Sequence, residues 1–132
     1  MSDIVIDFDG TVVTHNYPNM GVDIGAVPVL KQLVAKGHRL VLSTMRGTHG
    51  PYGDTLKPAV KWFADNGIDL YGVQENPSQH TWTNSPKAYG QLIIDDAALG
   101  CPLKMDHSLS DAPFVNWDVV NQHLVMGGFL GP

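Results

Sequence analysis

The sequence predicts an α/β fold, a mostly parallel central sheet with helices packed on it in three layers. Three short apolar runs, residues 3–8, 38–44 and 91–96, alternate with segments of helical spacing. That alternation implies right-handed crossovers between parallel strands. Two of the runs end in paired carboxylates, Asp7 with Asp9 and Asp95 with Asp96. In a parallel sheet the carboxyl ends of the strands share one edge, where ligands bind.

The elements follow in order. Residues 3–8 are β-branched and aromatic and read as a buried strand, with Asp3 as its solvated start. Residues 10–25 carry Gly10, Pro18, Gly21 and Gly25 and read as a loop that could hold a small hairpin. From Val27 to Lys36 the apolar residues Val27, Leu30, Leu33 and Val34 recur at helical spacing; Pro28 suits the first turn and Gly37 the stop. The second strand is "HRLVLST", residues 38–44, followed by a glycine-rich loop. "DTLKPAVKWFADNG" is a helix with Asp54 as its cap and Gly67 as its stop; its Trp62 and Phe63 fall to the core. "LYGVQ" is a weaker strand, residues 76–86 a polar loop, and "QLIIDD" a third strong strand. Residues 97–113 read as irregular. A last helix covers about 117–126 with Asn116 as cap, and the tail "GGFLGP" is apolar enough to pack on the body or a partner. The whole, residues 1–132, reads as one domain.

With 43% hydrophobic and 16% charged residues, the chain has the composition of a globular protein, not a disordered one. Its net charge of −5 and lack of a basic cluster argue against a non-specific nucleic-acid surface, while leaving a phosphorylated nucleic-acid end open as substrate. The single cysteine, Cys101, precludes an internal disulfide and fits a reducing compartment. No apolar run approaches the ~20 residues of a membrane span. With no signal-peptide pattern at the N-terminus, the expectation is a cytoplasmic protein.

Four acids pushed to one edge repel one another, and each favours its proton unless a cation joins them. Hard oxygen donors with few histidines suit Mg²⁺. Lys87 would add a second positive charge, Thr44 a hydroxyl, and Gly10, Thr11 and Met45 loop N–H groups. Such a set is what a phosphoryl group needs as its charge spreads over the equatorial oxygens. One carboxylate could attack phosphorus while a second protonates the leaving oxygen and then deprotonates water.

"DFDGT" (7–11), "LVLSTMR" (40–46), Lys87 and "LIIDD" (92–96) together resemble the four motifs, in order, of the haloacid dehalogenase (HAD) superfamily of phosphohydrolases. More narrowly, "DFDGTVVTHNYPNMG" and "GHRLVLSTMRG" look like a small capless bacterial and phage branch. The resemblance implies a HAD-like, Rossmann-like fold and a Mg²⁺-dependent phosphatase acting on a small phosphorylated metabolite or nucleotide. It implies Asp7 as the phosphorylated nucleophile, Asp9 as general acid/base, Thr44 (or, less favoured, Ser43) as the phosphate-binding hydroxyl, and Lys87 holding phosphate and nucleophile. Mg²⁺ would be held by the Asp7 side chain, the Asp9 carbonyl and the Asp95–Asp96 pair, with Asp96 favoured as the direct ligand. The short stretches after Asp9 and between Gly67 and Lys87 leave no room for a cap domain. An open site implies a large substrate or a second subunit covering the cleft, and His15, Tyr17, Arg46, His49 and Tyr52 could line it.

The bland readings stand beside these. Asp-Gly is a common turn pair, "IIDD" alone is a solvated strand end, and His15 and His49 read best as solvated loop histidines. Arg46 is evenly balanced between phosphate contact and plain cation. The competing functional class is a receiver-like phosphoacceptor, which would place its phosphorylated acid after the third strand and its lysine last. A catalytically idle phosphate-binding protein is the other alternative.

Overall fold

The computed structural model describes residues 1–131. Its main sheet has four parallel strands in the order β3-β2-β1-β4. The strands are β1 (Asp3–Ile6), β2 (Arg39–Leu42), β3 (Gly72–Val73) and β4 (Leu92–Ile94). Three helices accompany it: α1 (Ala26–Ala35), α2 (Leu56–Asp65) and α3 (Trp117–Met126). β1 lies central, with Ile4, Val5 and Ile6 paired to Leu40, Val41 and Leu42 on one side and to Leu92, Ile93 and Ile94 on the other. All four residues of β1 are buried, which is why its sequence is an unbroken apolar run after Asp3.

The connections decide which face is covered. β1 to β2 and β2 to β3 both step the same way, so right-handed crossovers put α1 and α2 on one face. The buried residues of α1, α2 and α3 all join one cluster with Ile4, Ile6, Leu40 and Leu42. The return from β3 to β4 must cross the other face, and it contains only a 3₁₀ turn at Gln79–Thr81. Val5 and Val41 on that face are covered by Ala88 and Tyr71. The third layer expected from the sequence is therefore loop-built, not helical.

Each helix stops the same way. Gly37, Gly67 and Gly128 take positive φ angles of 91°, 68° and 82°. The amides of His38, Ile68 and Phe129 then reach back to the carbonyls of Leu33, Phe63 and Leu124. This is the left-handed helix stop that glycine makes cheaply. At the N-termini, Asn116 Oδ1 accepts from Val119 N–H, and Asp54 Oδ1 accepts from Leu56 and Lys57 N–H. The sequence places both caps.

Two features depart from the sequence reading. Residues 97–113 are not wholly irregular: β5 (Leu103–Lys104) pairs antiparallel with β6 (Phe114–Val115). Two-residue strands carry too little alternation to be seen in advance. Asp3 is buried, not solvated, and Arg39 grips it through Nε (2.7 Å) and Nη2 (3.1 Å) while Asn76 adds a third bond at 2.9 Å. The tail does pack on the body, with Leu130 buried and the Phe129 carbonyl 2.7 Å from His38 Nε2; Pro132 lies outside the described residues.

Candidate active site

The strand order reverses its direction of growth between β1 and β4, the switch point where open α/β sheets bind ligands. Asp7 and Asp9 leave β1 there, and Asp95 and Asp96 leave β4. The register that pairs Ile6 with Ile94 makes Asp7 and Asp95 neighbours, and Asp7 N–H bonds the Ile94 carbonyl at 3.1 Å. A cleft of about 530 Å³ opens over them, lined also by His15, Tyr17, Thr44, Met45 and Arg46.

Asp7, Asp95 and Asp96 each offer a carboxylate oxygen within 4.8 Å of the others. Buried Thr11 stands between two of them: its Oγ1 lies 2.9 Å from Asp7 Oδ2 and 3.2 Å from Asp96 Oδ1, and it accepts from Asp96 N–H at 3.1 Å. Burial first, then the hydrogen bond shared with Asp96 and the charge of Asp95, push the Asp7 carboxyl up to about 7; Phe8 N–H and the Thr11 hydroxyl pull the other way. The cluster thus carries more negative charge than its own donors offset. Three oxygen donors converging with that surplus fit a hard divalent cation such as Mg²⁺.

Asp9 stands apart from this trio. Both its oxygens are bound 2.8 Å from Arg46 Nε and Nη2. Arg46 is 1% exposed, and its remaining bonds go to the carbonyls of Pro18 (3.3 Å), Thr55 (3.0 Å) and Asn19 (2.8 Å). All five guanidinium donors are thereby used. Arg46 has none left for a phosphoryl group, so the phosphate-contact option for it does not hold; it is the clamp on Asp9.

Gly10 opens the turn that follows Asp7 and Asp9. It has φ of 80°, and a Cβ there would stand 2.0 Å from His15 Nε2 and 2.6 Å from Asp96 Oδ2. That close approach lets His15 reach over the turn to Asp96 Oδ2 at 2.9 Å. His15 is thus a partly solvated histidine, its side chain 41% exposed, that joins the site through Asp96, whereas exposed His49 hydrogen-bonds its neighbour Thr48. The N–H groups of Gly10 and Thr11, expected to face phosphate, are committed inside the turn to the carbonyls of Val13 (2.8 Å) and Phe8 (3.0 Å). Thr11 serves through its hydroxyl instead.

Past the end of β2, the cleft receives Thr44 and not Ser43, whose N–H bonds the Ile6 carbonyl at 2.9 Å. Thr44 Oγ1 accepts from Arg46 N–H at 3.1 Å, which leaves its own proton free to donate. Met45 is 98% exposed on the rim.

Lys87 is not brought to the acids. It is exposed on a separate groove with Gln79, Trp82 and Tyr89. The segment that carries it is anchored to the other end of the sheet: Gln91 N–H bonds the Asp3 carbonyl, and Asn76 joins the Tyr89 carbonyl to the Asp3 side chain. Lys87 therefore sits where β4 begins, and the acids sit where it ends.

Two site residues escape sequence reading. Gln74, just past β3, has φ of 66°. Its side chain accepts from Thr44 N–H at 2.9 Å and donates to the carbonyls of Thr44 (2.8 Å) and Arg46 (2.9 Å). It shapes the loop that presents Thr44 and Arg46, and its position at a strand's carboxyl end was the available signal. Trp117 Nε1 donates to the Thr11 carbonyl at 2.7 Å, fastening the turn after Asp9 to α3.

No family model and no curated protein matches the chain. Among solved structures it is similar to a conserved protein from Bacteroides thetaiotaomicron, at 29% identity over 96% of this chain and 91% of that one, with a TM-score of 0.71. No helix of the described residues is long and apolar enough to cross a membrane.

Proposed function

We propose that the chain is a capless HAD-like phosphohydrolase that cleaves phosphomonoesters through an aspartyl-phosphate on Asp7. The observation that carries this reading is the convergence of Asp7 with Asp95 and Asp96 within 4.8 Å, with a second acid of the same strand end, Asp9, lining the same cleft. Mg²⁺ held by Asp7, Asp95 and Asp96 would cancel their mutual repulsion and draw charge from the phosphoryl oxygens.

The chain's own groups divide the work. Asp7 attacks phosphorus, and the bond from phosphorus to the ester oxygen breaks as Asp9 gives that oxygen a proton. Water then attacks the aspartyl-phosphate, Asp9 takes its proton, and inorganic phosphate leaves with Asp7 restored. The Thr44 hydroxyl donates to a phosphoryl oxygen throughout. With each oxygen bonded once to Arg46, Asp9 keeps a further lone-pair site on each for the proton it moves. Lys87 has no role in this reading.

The experiment is a panel of phosphomonoesters with and without Mg²⁺, run on the wild type and Asp7→Asn. Release of phosphate that needs both Mg²⁺ and Asp7 supports the reading. Turnover that survives Asp7→Asn overturns it, and phosphorylation of the protein that persists for minutes without release favours a receiver-like role.

A further inference from the structure

We propose that the cleft selects phosphomonoesters whose leaving group carries a flat aromatic ring, with Tyr17 as the stacking surface. The inference rests on the phosphohydrolase reading and adds the substrate class.

The two basic side chains the sequence offers for holding phosphate are both engaged elsewhere: Lys87 lies on another groove, and every guanidinium donor of Arg46 is used inside the protein. His15 is on Asp96. Beside Asp7, Asp9, Asp95 and Asp96 a phosphate finds little fixed positive charge on the chain itself. Beyond the charge that Mg²⁺ would supply, the chain's own contribution to affinity then falls to the other half of the substrate, the leaving group.

Tyr17 lines the same cleft as the acids and is 52% exposed. Its ring is nonetheless fixed: the Arg46 guanidinium lies over it at 5.3 Å, and the Tyr52 ring meets it edge-on at 5.8 Å and 88°. Arg46 cannot move without releasing Asp9 and three carbonyls, so the support beneath the ring is rigid. A ring held by a buried guanidinium and by Tyr52, with about half of the residue open to a cleft, offers a preorganised stacking surface. Exposed Met45 on the same cleft adds a polarisable thioether of the kind that packs on rings. A nucleoside monophosphate and a simple aryl phosphate share the required chemistry.

The test measures kcat/KM with Mg²⁺ for a nucleoside 5′-monophosphate, an aryl phosphate and glycerol phosphate. The proteins are the wild type, Tyr17→Ala, Tyr17→Phe and the distant control Tyr89→Ala. Ring-bearing substrates are expected to be preferred. Tyr17→Ala should lower the ratio of ring-bearing to ring-free kcat/KM about tenfold, Tyr17→Phe should keep it, and Tyr89→Ala should leave it in place. A nucleotide preferred over the aryl phosphate makes the ring a nucleobase; equal rates make it any aryl group. In parallel, Asp7→Asn with and without Tyr17→Ala is titrated with the nucleotide, and binding is followed by NMR of the tyrosine rings. Tyr17-dependent binding with no turnover by the wild type upholds the ring site while the hydrolase reading fails. Turnover whose substrate ratio ignores Tyr17→Ala overturns the ring site while the hydrolase reading stands. Neither binding nor turnover overturns both.

Discussion

The two ends of the sheet carry the same device used for opposite purposes. At the entry edge Arg39 grips Asp3 with two bonds and lies over the Tyr71 ring at 4.0 Å. At the exit edge Arg46 grips Asp9 with two bonds and lies over the Tyr17 ring at 5.3 Å. At the entry edge Asp3 meets only donors. Burial works against its charge, but the bonds from Arg39 and Asn76 outweigh it and hold the carboxyl below the usual carboxylate range. At the exit edge three more acids crowd in without a further arginine, and Asp7 is pushed up to about 7. An arginine–aspartate clamp stabilises a sheet end when donors match acids, and it leaves a reactive surplus when they do not.

The largest way to break the comparison is Asp7→Asn. Phosphoester turnover should fall on the order of 10⁴-fold or more. The cation-free protein at pH 8 should meanwhile gain about 2 kcal/mol, since the variant removes a carboxylate charge the fold resists; thermal melts check this. Arg46→Ala follows, losing about 3–5 kcal/mol because Asp9 and the carbonyls of Pro18, Asn19 and Thr55 lose their donors. Asp3→Asn, which spares the fold's other bonds at the entry edge, should lower the melting temperature less than Arg46→Ala does.

Acidity sharpens the contrast further. Asp7 has a folded pKa above its unfolded value of 3.8, so its protonated form favours the fold. Without divalent cation, stability should fall as pH rises from about 4 through about 7, and Asp7→Asn should flatten that limb. Asp3 has a folded pKa below 3.8, so its contribution is present above that value and is lost as pH falls below it. Melting curves from pH 2.5 to 8.5, with and without Mg²⁺, should show the two opposite slopes. Mg²⁺ should raise the melting temperature most at the alkaline end, where it competes with no proton. The smallest effect belongs to Lys87→Ala, expected to change kcat/KM by no more than about twofold, the range of an exposed substitution of ±0.5 kcal/mol. A large loss would move Lys87 back to the acids, where the family resemblance expects it.

What could be read in the sequence was local. The strand of residues 3–8, the Asn116 and Asp54 caps and the glycine stops depend on neighbours within a few positions, and the structure keeps them. The convergence of Asp7 with the Asp95–Asp96 pair was legible because parallel topology alone brings strand ends together. Asp3 was misread because its partners Arg39 and Asn76 lie 36 and 73 positions away. Lys87 was misplaced because proximity in sequence to "LIIDD" does not say which end of β4 a residue meets. Gln74 was silent because its role lies in a side chain bonding back to a loop 28 to 30 positions earlier.

The single guanidinium of Arg46 has a dynamic consequence. It is joined at once to the loop at Pro18 and Asn19 and to Thr55 at the threshold of α2. Neither segment can lift while the other stays, so the two should open in one cooperative event. In amide hydrogen exchange, Leu56 and Val22, amides bonded to Gly47 O and Thr14 Oγ1, should share one opening free energy, while Asp7, bonded into the sheet, should exchange only with the core.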